Sequence, residues 1–287
     1  MSIVLAKKYI PVLDEIYKRA SLTSILDGDN SMVREGANAN ELLVPKISMS
    51  GLGDYSRTGG YVGGSVDLAW ETIQADYDRG RMFQVDTLDD QESFNVAFGK
   101  LAGEFIRTKS VPEADAFTIA KIAGTSSIGG TTGTLSSGGD VVAALRVATS
   151  TMDEAEVPED DRVLYITPTL LGLVEDLDTT KSREVLDRFQ TIVRIPQTRF
   201  YSAISLYDGS TSGEEAGGYV KASAGKDMNF LALSRSAICK FTKHVAPKII
   251  TPEQNQSADA WKYGYRHVMV VKVYDNKLAG VYSHHKA

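Results

Sequence analysis

The chain has 287 residues, of which 43% are hydrophobic and 24% charged, with a net charge of −6. That length suits one large domain or two modest ones around a sizeable core. The acidic balance, with no lysine or arginine run longer than two, excludes phosphate-driven binding of nucleic acid as the main task. No stretch nears the eighteen or so apolar residues of a membrane helix, and the single cysteine, Cys239, excludes an internal disulfide.

In chain order, Met1–Lys8 carries its basic pair after a short apolar stretch, the reverse of an export signal. Val12, Leu13, Ile16, Tyr17 and Ala20 fall at helical spacing behind Pro11, and Asp27-Gly28-Asp29-Asn30-Ser31 ends that segment as a polar turn. The run 42–48 and the alternating run 66–73 predict two strands of one long hairpin, with Gly51, Gly53, Gly59, Gly60, Gly63 and Gly64 at its tip. A two-stranded hairpin of that length is not stable alone in water, so it lies on its own core or on another subunit.

Phe94, Ala97, Phe98, Leu101 and Phe105 make one apolar helical stripe, and Pro112 opens a second helical stretch with Phe117, Ala120 and Ile122. The segment 124–139 reads as a Gly/Ser/Thr loop. Asp140 reads as the N-cap of a helix bearing Val141, Ala144, Leu145, Ala148 and Met152. Residues 163–167 read as a buried strand, and Pro168 starts a helix through Leu177. Short strands follow at 192–195, 230–233, 238–241 and 268–274, with a Gly/Ser loop at 208–218. Asp275-Asn276-Lys277 reads as the turn of a closing hairpin, and Cys239 as a buried hydrophobe beside Ile238 and Phe241. The class is α+β.

The search for chemistry yields mainly negatives. There is no phosphate-binding glycine loop and no nucleophile elbow, and Gly51-Leu52-Gly53 lacks the third glycine of a dinucleotide fingerprint. His244 and His267 stand apart from any ligand cluster, and His284-His285 read as a mobile end. Met32 and Asn38 occupy positions where a calcium loop needs glycine and glutamate. No catalytic residue, cofactor or metal is expected. A hydrolase or carbohydrate-active enzyme, with Tyr55, Tyr61, Trp70 and Trp261 along a sugar groove, is the alternative from another class.

The order of parts, together with Trp70-Glu71-Thr72-Ile73, 78–86 (Asp-Arg-Gly-Arg-Met-Phe-Gln-Val-Asp), 162–168 (Arg-Val-Leu-Tyr-Ile-Thr-Pro), 232–238 and 274–282, resembles the major capsid proteins of tailed bacteriophages. These share the Hong Kong phage-type fold with encapsulin compartments. The resemblance implies an N-terminal arm over 1–40, an extended hairpin loop over 41–90, and a spine helix with peripheral domain over 91–139. It implies an axial domain over 140–226, with the 208–218 loop near the capsomer axis, and return strands of both domains over 227–287. The segments 232–238 and 274–282 would close the peripheral domain. It further implies a virion subunit that assembles with itself into hexamers and pentamers around double-stranded DNA, in the host cytoplasm, without sequence-specific DNA contacts or a membrane. Some relatives crosslink through a hairpin lysine, but 50–65 holds none, so a non-covalent shell is expected. Asp54, Tyr55, Arg57, Tyr61, Asp67, Arg79 and Arg81 are the candidate subunit contacts. An arm starting near Met1 leaves no room for a fused scaffolding domain, so a separate scaffolding protein, or none, and a portal are the expected partners. An encapsulin-type compartment is the alternative within the same fold.

Overall fold

The computed structural model describes residues 21–28, 34–35, 41–88, 96–177 and 179–287. The helix expected over 11–20 and the side chain of Phe94 lie outside these residues. The first sheet has the order β1-β2-β3, from β1 (Arg34–Glu35), β2 (Glu41–Met49) and β3 (Val66–Gln74). The hairpin β2–β3 is in register from Glu41↔Gln74 to Met49↔Val66. After a break at Ala75-Asp76 the chain enters β4 (Tyr77–Asp86), which belongs to a different sheet.

A long helix follows in two parts, α1 (Val96–Phe105) and α2 (Val111–Ala123), joined by a π turn over Ile106–Ser110. The sequence predicts two stretches that together form one long, interrupted helix, and the helix runs through Pro112. Proline has no N–H to give the carbonyl of Thr108, and its ring crowds that oxygen. Widening the preceding turn to the π form accommodates both effects without breaking the rod. At 1.5 Å per residue the whole helix spans about 40 Å.

The central sheet has the order β5-β13-β10-β6-β7, from β5 (Gly129–Thr132), β6 (Arg162–Ile166), β7 (Thr191–Arg194), β10 (Met228–Ser234) and β13 (Val281–His285). All of β6 and β10 is buried because both sheet faces are covered. Val163, Tyr165, Leu231 and Leu233 face a core shared with Ile119 and Ile122 of α2. Leu164, Ile166, Phe230 and Ala232 face a second core with α3 (Gly138–Glu154), α4 (Pro168–Glu175) and α5 (Thr180–Asp187). Two short strands, β8 (Ile204–Leu206) and β9 (Tyr219–Lys221), pair separately and carry the 207–218 loop.

The third sheet, β11-β12-β4, is built on β11 (Ile238–Ile250) and β12 (Ala260–Val273), each far longer than the sequence suggests. Pro247 lies within β11, where an edge strand tolerates the missing donor. Tyr263, Tyr265, Phe83, Val245 and Ile249 pack on Leu101, Phe105, Ile106 and Val111 of the long helix.

Three local readings are corrected. Ser137, not Asp140, is the N-cap of α3. Asp140 is its capping-box partner, accepting from the backbone of Ser137 at 3.0 Å while the Ser137 hydroxyl accepts from the Asp140 amide at 3.2 Å. Asp275–Gly280 does not close a hairpin. It carries the chain from β12 in one sheet to β13 in another, where β13 lies between β10 and β5. His284 is not a mobile end, since it is buried in β13, stacked on Phe230 at 5.1 Å and bonded to Asn229 at 2.9 Å. Of the segments 232–238 and 274–282, which the resemblance implies for the peripheral layer, only 232–234 and 281–282 run in the same sheet as β6.

Helices α3 and α4 meet closely at Gly138, where a Cβ would lie 2.1 Å from the Leu173 carbonyl oxygen. Gly138→Ala is therefore expected to force the helices apart and lower stability by about 1–3 kcal/mol. Gly139→Ala, whose Cβ would meet only the Ser137 hydroxyl at 3.7 Å, should melt nearly as the unaltered chain does.

Candidate functional site

The feature that the fold leaves unexplained within one chain is the hairpin. From Ile47 to Trp70 every residue is exposed except the half-buried Gly60. Directly opposed residues of an antiparallel pair share a face. Ile47 opposite Leu68 and Met49 opposite Val66, with Trp70 next along β3, thus form one apolar face. Their exposures are 58%, 58%, 71%, 71% and 43% in that order. The other face carries Ser48 opposite Asp67. At the tip, Leu52 is fully exposed, and Tyr55 meets Tyr61 edge to face at 4.9 Å. A Ser56↔Gly60 bridge and the Ser50–Ser65 hydroxyl pair at 2.9 Å hold the tip together. A contiguous apolar face of this kind, rimmed by polar residues, marks a protein contact.

The base of the hairpin is fixed. Ile73 is buried against Cys239 and Val270, with Phe241 and Tyr274 packed around them, and burial pushes the Cys239 thiol up. Lys121 of α2 is bonded to Asp76 in the break between β3 and β4.

The seven candidate contact residues divide into two groups. Asp54, Tyr55, Arg57, Tyr61 and Asp67 stand exposed on the hairpin. Arg79 and Arg81 of β4 are engaged within the chain. Arg79 Nε donates to Glu113 at 2.8 Å and its Nη2 to the Tyr207 carbonyl at 2.6 Å, while Tyr77 donates to the same carboxylate at 3.0 Å. Arg81 Nη2 donates to the Glu215 carbonyl at 2.9 Å. Gly209, at φ +78°, and Gly217, at +65°, let the backbone curl around the Arg81 head. Inside the loop, Asp208 accepts from the amides of Ser210 and Thr211 at 2.7 and 2.8 Å, and these bonds hold its carboxyl far below the usual range. The loop expected near a capsomer axis is thus clasped to β4 of its own chain.

Among the described residues no group of three His, Cys, Asp or Glu side chains could hold a metal ion, and no helix is long and apolar enough to cross a membrane. Trp261 lies on β12, in a different sheet from Trp70. His267 is buried beside Tyr77, with ring centroids 5.4 Å apart. Burial, with the Lys240 charge second, lowers its pKa to about 4. The unfolded chain therefore takes up a proton near pH 6.5 that the folded chain refuses until about 4. This contribution is complete above about 6.5 and declines as pH falls toward 4, by about 3 kcal/mol in all. Urea midpoints of the dispersed subunit at pH 7.5, 5.5 and 4.5 should fall in that order, and His267→Phe should flatten the trend.

No family profile and no curated protein matches the sequence. Solved structures do match. A capsid structure of the cyanophage P-SCSP1u is 14% identical, with a TM-score of 0.57 over 88% of this chain and 85% of that one. The capsid of Myoviridae phage XM1 is 11% identical, with a TM-score of 0.57 over 93% and 91%. A virus-like particle from Pyrococcus furiosus is 13% identical, with a TM-score of 0.52 over 94% and 98%. The fold is that of phage capsid proteins.

Proposed function

We propose that this chain is the major capsid subunit of a tailed phage, assembling into hexamers and pentamers of an icosahedral shell around double-stranded DNA. The observation that carries the reading is the exposed face formed by Ile47, Met49, Val66, Leu68 and Trp70 on an anchored hairpin. A neighbouring subunit supplies its cover. Each such contact is modest, and closure of the shell multiplies it. Asp54, Tyr55, Arg57, Tyr61 and Asp67 are the contact residues that remain open on the hairpin, while Arg79 and Arg81 act by shaping the subunit. Within the arm 1–40, residues 21–28 are held by the subunit's own core, and residues 1–20 serve neighbours. Residues 140–226 supply most of the axial domain, and the long helix with β4, β11 and β12 supplies the peripheral one. Assembly proceeds in the host cytoplasm with a portal, and with a separate scaffolding protein or none.

Negative-stain microscopy of purified protein tests this reading. Closed shells, tubes, or rings of five and six support it, and a stable dispersed monomer overturns it. The shell is held without covalent bonds, so boiled particles should run as one band at the subunit mass, and a ladder of heavier bands would refute that. Likeness to a virus-like particle favours one second reading, a compartment shell of encapsulin type. Purified particles containing a cargo enzyme instead of DNA would decide for it.

A further inference from the structure

One segment is tied to the long helix, the central sheet and the β11–β12 sheet by polar contacts that the capsid reading does not use. Asp115, fully buried on α2, accepts from five donors. These are the Ser21 hydroxyl at 2.8 Å, the Leu22 amide at 3.1 Å, the Thr23 amide at 3.2 Å, the Thr23 hydroxyl at 2.8 Å and Arg199 Nη1 at 3.3 Å. Tyr165 of the central sheet donates to the Leu22 carbonyl at 3.3 Å. Lys240 of β11, also buried, donates to the Thr23 carbonyl at 3.0 Å and pairs with Asp27 at 2.7 Å, while Gly28 donates to the Lys240 carbonyl at 3.1 Å. Leu26 is buried, and Leu22 and Ile25 pack half-buried on the same core.

We infer that residues 21–28 are a strap that fixes the long helix, the central sheet and the β11–β12 sheet in one mutual disposition, and that its undocking frees them together. The physical basis is the buried charge. Undocking uncovers Leu22, Ile25 and Leu26, leaves the Asp115 carboxylate without four of its five donors and deprives the Lys240 ammonium of both acceptors. A buried ion stripped of its partners is costly, so the surrounding layers must loosen to admit water. A network gathered on one carboxylate also fails as a unit, since each lost donor weakens the case for the rest. Docked and undocked are therefore two distinct states of the subunit. In shell formation, which rests on the capsid reading, the docked strap selects one subunit shape and hence one particle diameter.

Hydrogen exchange of the full chain by mass spectrometry tests the strap directly. Ser21→Ala with Thr23→Val removes two donors and leaves Asp115 in place. Ser21→Thr with Thr23→Ser keeps both hydroxyls. In the first variant, exchange should rise about tenfold in 21–28 and also in 111–123, 162–166 and 238–250, while 138–154 and 66–74 stay unchanged. The second variant should match the unaltered chain. A rise confined to 21–28, a uniform rise over the whole chain, or no rise overturns the inference. Where shells form, the first variant should give a spread of diameters, and a single unchanged diameter overturns the assembly role. Failure of the unaltered chain to form any particle would count against the capsid reading alone, and the exchange pattern would still decide the strap.

Discussion

A subunit carrying Ile47→Asp and Leu68→Asp is expected to form no closed shells while melting at an unchanged temperature. The two positions are directly opposed on the apolar face of the hairpin and more than half exposed in the single chain. Exposed substitutions away from caps, networks and cores change stability by about 0.5 kcal/mol or less. On the capsid reading a neighbouring subunit covers the same side chains in the shell. Each leucine or isoleucine then contributes about 1.5–3 kcal/mol, and an aspartate in its place adds the cost of an unpaired buried carboxylate. The loss recurs at every hairpin in the shell, so a few kcal/mol per contact removes the assembled state. Light scattering and negative stain would read the assembly, and calorimetry of the dispersed subunit would read the fold. Shells in normal yield would refute the docking role of this face, and a large fall in melting temperature would place it in the subunit's own core.

Asp115→Ala should have the largest effect on the subunit itself, a loss of about 3–5 kcal/mol. The substitution leaves two buried hydroxyls, two amides and the Arg199 guanidinium facing a small cavity. Asp115→Asn should rescue little, because its amide nitrogen would meet a ring of donors. The readout is the urea midpoint at constant slope, which separates lost stability from a changed unfolded state. A loss below about 1 kcal/mol, the scale of one ordinary hydrogen bond, would show that water replaces the strap's donors freely.

Parts of this architecture are legible locally. The strict alternation over 66–73 and the glycine-dense tip define the hairpin with boundaries within a residue or two. Leu101 and Phe105 of the apolar stripe do pack on the long sheet. The apolar run before Pro168 becomes a fully buried strand, as its lack of alternation requires. What failed depends on partners distant in sequence. Nothing near Asp275 reveals that β12 and β13 belong to different sheets, because each strand's partners lie elsewhere in the chain. Ser21 and Thr23 are unremarked polar residues until Asp115, 92 to 94 positions away, is placed against them. At α3, Ser137 and Asp140 are both good caps, and only backbone geometry tells which one begins the helix. Of the candidate contacts, the hairpin residues followed from exposure on an unsupported element. Arg79 and Arg81 also bond carbonyls of the 207–218 segment of their own chain, which nothing near them in the sequence foretells.

The position of β13 also orders events in time. Strands β10 and β5 emerge from the ribosome well before residues 281–285, yet the edges they offer to β13 stay open until that segment is made. Both strands of the hairpin, by contrast, are made once residue 74 is synthesised, although the residues that anchor its base, Cys239 and Val270, come later. On the capsid reading, both strands of the docking face are therefore made well before β13 can take its place between β10 and β5. Chaperone occupancy should concentrate on chains stalled before residue 281, whose β10 and β5 edges are open.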